Sequence, residues 1–116
     1  MNLTYSILFM KTNPRTPSSQ RLTDANPEAM QHYNRMRVAI STSTTFDGRL
    51  SEVVLTAQFA VLGHEFPFKI HARRAMEQGM TVDALRALLM AGLGVTLVAS
   101  EVGRALAWLD EATIEA

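Results

Sequence analysis

The sequence predicts an all-α fold, and three observations carry the prediction. From Asn26 onward apolar residues recur at the three-and-four spacing of one helix face. Side chains able to cap a helix, or glycines able to end one, stand at the borders of these stretches. No segment sustains the period-two alternation of a half-buried strand.

Residues 1–25 are read as an N-terminal arm and residues 26–116 as one helical domain. Met1–Met10 is apolar but shorter than the roughly twenty residues needed to cross a bilayer. It has no basic leader and no small-x-small cleavage site, so neither a membrane span nor a secretory signal is expected. Met10 directly precedes Lys11, and residues 1–9 are expected to be either a start-site artefact or a short extended segment docking on a neighbour. Residues 11–26 carry two prolines among polar residues and read as a mobile arm.

Five helices are expected in order. Asn26-Pro27-Glu28 supplies a capping amide, a pre-set proline and an acid at the positive end of the helix dipole. Ala29, Met30, Tyr33, Met36, Arg37 and Ile40 then form one stripe, and the hydroxyl run Ser41–Thr45 ends the helix. Asp47 caps a second helix with Leu50, Val53, Val54, Ala57, Ala60 and Val61 inward and Gly63 at its exit. A third begins near Phe66-Pro67, turns Phe68, Ala72, Ala75 and Met76 inward and ends at Gly79. Thr81 caps a fourth, with Leu85, Leu88, Leu89 and Gly92 inward. The chain turns at Gly92–Gly94, and Val95, Val98, Val102, Ala105, Leu106 and Leu109 make the stripe of the fifth. These stripes are rich in Ala and Gly, which let helices approach closely, and in Met, which fills irregular gaps. So many apolar faces in 116 residues leave area uncovered, and a homo-oligomer is expected.

Composition narrows the chemistry. Eleven Lys+Arg balance eleven Asp+Glu, so neither a nucleic-acid footprint nor an acidic solvating chain is expected, and with no membrane segment the expected location is the cytoplasm. At 47% apolar the chain is not a disordered one. It has no cysteine, which excludes disulfide staples, thiolate metal sites and every thiol-based redox mechanism.

The informative stretch is Arg49 to Gly79. Glu52 and His71 stand nineteen positions apart on consecutive helices, and antiparallel packing can bring them together. A carboxylate orients an imidazole and raises its basicity, so the two form a candidate acid/base pair, with His64 and Glu65 at the intervening turn. A metal site built from Glu52, His64 and His71 is disfavoured, because residues 64 and 71 of a straight helix stand about 10 Å apart. His32 carries only a surface reading, and Met30, Met36, Met76, Met80 and Met90 read as packing.

The segment His71-Ala72-Arg73-Arg74-Ala75-Met76-Glu77-Gln78-Gly79-Met80-Thr81 resembles the H-x-x-x-A-x-x-x-G-[LVM]-[ST] segment of the carboxymuconolactone decarboxylase family, which includes the alkylhydroperoxidase D-like proteins. The resemblance covers about Leu50 to Leu109. The peroxidase branch carries Glu-x11-Cys-x2-Cys-x3-His; Glu52 and His71 match its ends, while His64 and Pro67 stand at the two sulfur positions. The decarboxylase branch often has a glutamate four residues before the histidine, where this chain has Pro67, with Glu65 two residues away. With no thiolate pair, the disulfide relay is excluded as chemistry.

What the resemblance implies is a cofactor-free acid/base lyase or isomerase acting on a small organic acid or lactone, assembled as a trimer or hexamer. His71, Glu52 and His64 would be catalytic. Arg49, Arg73, Arg74 and Glu65 would bind substrate, arginine by its planar fork. Nine of the eleven basic residues are arginine. Arg73 and Arg74 are adjacent and cannot share a helix face. A second reading stays open: a non-catalytic binding or scaffold member that kept the assembly and lost the redox cysteines.

Overall fold

The computed structural model describes residues 18–42, 45 and 47–115; the expectations for residues 1–17 lie outside them. Among the described residues there are six α-helices and no strand: α1 (Ser18–Ala25), α2 (Pro27–Ser41), α3 (Gly48–Leu62), α4 (Glu65–Glu77), α5 (Val82–Ala91) and α6 (Ala99–Glu115). They group into two compact units, α1 with α2 and α3 through α6.

In the first unit, α1 occupies residues that read as an arm. It follows both prolines and is built from polar groups at helical spacing: Gln20 donates to Asp24 at 2.8 Å and the Thr23 hydroxyl to the Ser19 carbonyl at 2.9 Å. The start of α2 is as expected, with the Asn26 side chain accepting from the Ala29 amide at 3.0 Å and Pro27 in the first turn. At its end the Ser41 and Thr42 hydroxyls donate to the Val38 carbonyl. The apolar stripe of α2 is not a buried one: no residue of the helix is buried, and Tyr33, Met36 and Ile40 are about half exposed.

The second unit holds the core. Ala60 of α3, Phe68, Ala72 and Ala75 of α4, Leu85 and Leu89 of α5, and Ala105 and Leu109 of α6 form one buried cluster. The alanines keep the helices close, and the large side chains fill the space between them. Caps are where the sequence places them: Asp47 accepts from Leu50 at 2.7 Å and Thr81 from Ala84 at 3.0 Å. Gly63 ends α3 in the left-handed region at φ 74°, and a Cβ there would meet the Arg104 guanidinium at 2.7 Å.

Two stripes differ from expectation. On α3 the buried positions are Thr56 and Ala60, while Leu50, Val54 and Val61 are exposed. Burying Thr56 costs little because its hydroxyl donates to the Glu52 carbonyl at 2.7 Å. At the other end α6 starts only at Ala99. Val95, 83% exposed, and Val98 belong to the preceding turn, closed by Gly94 N–H to Leu97 O at 2.9 Å. Val102, Ala105, Leu109 and Ala112 make the buried face of α6.

Candidate active site

Only Gly63 and His64 separate α3 from α4, so the two helices run antiparallel as a tight hairpin. Glu52 and Phe59 lie seven residues, two turns, apart on α3. His64 and His71 repeat that spacing along α4 and its cap. Antiparallel pairing therefore sets Glu52 against His71 and Phe59 against His64, and the side chains follow this register. His71 Nδ1 stands 2.6 Å from Glu52 Oε2, with the two side chains 16% and 20% exposed. Phe59 stacks on the His71 ring, centroids 5.3 Å apart and planes 18° apart, and meets the His64 ring at 6.1 Å and 35°.

An ionised Glu52 can only accept, and in that form of the pair the hydrogen sits on Nδ1 and is donated to Oε2. Nε2 of His71 has no hydrogen bond among the described residues, yet no buried polar atom is left unsatisfied. Nε2 is thus the ring nitrogen open to solvent and free to exchange a proton. His64 does not join the pair directly, because Phe59 touches both imidazoles. His64 is exposed, and its side chain does not cap α4. No three His, Asp or Glu among the described residues are grouped to hold a metal ion.

The remaining sequence candidates divide into two sets. Arg49 lies one turn before Glu52 and Arg74 one turn after His71, so the hairpin register places both one turn beyond the pair, on the side away from the α3–α4 connection. Neither makes an ion pair among the described residues. Arg49 lines a shallow surface depression of about 380 Å³ with Asp47, Leu50, Val53 and Met80. Neither this depression nor the one formed by the turn Leu93–Ala99 is lined by Glu52, His64 or His71.

Arg73 and Glu65 are engaged elsewhere. Arg73 donates to the Ala112 carbonyl at 3.3 Å and to Glu115 at 2.7 Å. Glu65 pairs at 3.0 Å with Lys69, which also reaches Glu111 at 2.6 Å and Glu115 at 3.6 Å. This network fastens α4 to the C-terminal turns of α6. Sequence reading did not foresee it, because a lysine among apolar residues gave no sign of burial.

Lys69 gives the network a pH dependence. The hydrogen bond to Glu111, then Glu65 and the remaining charges, hold its pKa above the ordinary 10.5, although burial acts the other way. A raised folded-state pKa stabilises the protonated fold; the contribution is complete below the unfolded value and is lost as pH rises through the folded one. In urea unfolding from about pH 8 to about pH 12, wild type should lose stability more steeply through the lysine range than Lys69→Met. Parallel curves would show that the ammonium group does not stabilise the fold.

The model of the carboxymuconolactone decarboxylase family matches residues 27–111. The match takes in α2, which the recognised sequence segment did not reach. No curated protein and no solved structure matches the chain. The match covers well over half of the sequence and includes both Glu52 and His71, which are in direct contact. This chain belongs to the carboxymuconolactone decarboxylase family.

Proposed function

We propose that the protein is a cofactor-free acid/base lyase or isomerase of decarboxylase type, acting on a small carboxylated or lactone substrate. The observation that carries this reading is the 2.6 Å contact between Glu52 Oε2 and His71 Nδ1. With Nδ1–H held by the carboxylate, Nε2 accepts a proton from a carbon next to a carbonyl, or returns one to it. Glu52 offsets the positive charge that the ring then carries. In decarboxylation Nε2 first takes a proton from solvent; the bond to the substrate carboxylate then breaks, CO2 leaves and the electron pair moves into the conjugated carbonyl. The imidazolium gives its Nε2 proton to the resulting carbanion and returns to the neutral ring. Arg49 and Arg74 are assigned to substrate carboxylates, as guanidinium forks one turn from the pair that make no ion pair among the described residues. His64, beyond Phe59, is placed at the edge of the site and contacts the substrate rather than His71.

The same reading takes the working form to be a homo-oligomer, trimer or hexamer. Val54, Val61, Leu62, Phe66 and Ile70 are exposed along α3 and α4, and neither surface depression described above is lined by Glu52 or His71. A second copy over such a ridge would bury apolar area and exclude water.

That open setting also supports the second reading, a binding or scaffold member without turnover. A panel of unsaturated lactones and 3-oxo acids, followed by NMR for loss of carboxylate or movement of a double bond, separates the two. Conversion of at least one compound is expected. Melting-temperature increases with small carboxylates but no conversion would favour binding alone.

A further inference from the structure

We propose that Phe59 is a positioning residue for His71: its ring fixes the plane of the imidazole, while Glu52 fixes which edge of that plane faces α3. The proposal rests on the reading of Glu52 and His71 as the acid/base pair. The ring is anchored at Cγ and hydrogen-bonded at Nδ1 to a carboxylate that can itself turn, which leaves it able to rock about its Cβ–Cγ bond. A face at 5.3 Å and 18° restricts that rocking. The contact falls in the offset-stacked range of aromatic pairs, whose preference corresponds to about a two- to tenfold bias in population. Phe59 is itself held, being only part-buried but packed against the buried cluster of α3 to α6. Nε2 has no partner among the described residues, so the direction in which it presents its lone pair depends on the ring plane alone.

Nothing in the chemistry of phenylalanine marks it as functional, and the competing account is that Phe59 only fills space beside the core. The two accounts differ in what His71 feels. If Phe59 only fills space, a side chain of similar volume leaves the imidazole unchanged. If it sets the plane, losing the aromatic face loosens the Glu52 bond and lets the second tautomer, with hydrogen on Nε2, become populated.

The test is the 15N spectrum of the His71 ring nitrogens in the substrate-free protein, read on the alkaline plateau of its own pH series. Wild type is expected to show Nδ1 protonated and Nε2 unprotonated. Phe59→Leu should move both nitrogens toward averaged shifts, with the minor tautomer rising about two- to tenfold, and Phe59→Tyr should restore the wild-type pattern. If Phe59→Leu does not fold, Phe59→Met offers comparable bulk without a ring and is read the same way. Unchanged nitrogen shifts in the folded ring-less variant would overturn the proposal, as would a Phe59→Tyr variant that behaves like Leu. No substrate enters the measurement. A wild type that converts nothing therefore sinks the acid/base reading, whereas unchanged shifts sink only the role of Phe59.

Discussion

Replacing His71 with alanine is expected to lower turnover by about 10²- to 10⁴-fold, the usual loss on removing a general acid or base. The helical fold and its assembly should persist. His71 lies outside the buried cluster, and its partner Glu52 is partly solvated, so the freed carboxylate can be hydrated instead of being stranded. The expected stability cost is that of one charge-assisted hydrogen bond and a ring contact, about 2 kcal/mol. Turnover of a substrate found in the panel, measured beside circular dichroism and light scattering, separates chemistry from folding. A His71→Ala protein with undiminished turnover would sink the assignment of the pair.

The largest stability effect is expected at Phe68. Its side chain is fully buried at 0% exposure, at the start of α4, and its ring meets Trp108 of α6 at 5.8 Å and 52°. Truncation to alanine removes the ring's transfer free energy and leaves a cavity among alanines, which cannot move in to fill it. The expected loss is about 3–5 kcal/mol, a large part of the roughly 5–15 kcal/mol that holds a domain of this size together. Urea unfolding measures it, with Glu77→Ala as the control: Glu77 is exposed on the same helix and should cost well under 1 kcal/mol. A loss at Phe68 as small as at Glu77 would mean that the core does not centre on α4.

Much of this was legible in the residues. Asn26, Asp47 and Thr81 cap where their side chains predict, because capping is a local contest between a side chain and its own backbone. Phe68, Ala72 and Ala75 are buried as their spacing requires, and Glu52 meets His71 because the connection between their helices is short. What failed depended on neighbours outside the local window. Thr56 was passed over on α3 as a polar residue, although bonding its own helix makes it buriable. Val95 and Val98 continue the stripe of α6 in sequence but lie in the turn before the helix starts. The first helix was hidden by the prolines and polar residues around it.

The candidate site shows the same division. Spacing separated Arg73 from Arg74 but did not say which faces α6; the bonds to Ala112 and Glu115 decide that. Phe59 was missed although a signal existed: it stands as far from Glu52 as His64 does from His71. A hairpin register turns that equality into contact, and it becomes visible only when residues are compared in pairs across the turn.

Gly63 and His64 thus act as a ruler as well as a connection. One added residue there would rotate α4 by about 100° relative to α3, carrying His71 away from Glu52 and Phe59 and Arg74 out of step with Arg49. The pairings along the hairpin would be lost together, though none of the paired residues had changed. Loop length, ordinarily the most tolerant property of a helical protein, here decides which side chains of α3 and α4 meet, and a related chain with a longer connection would bring other positions face to face.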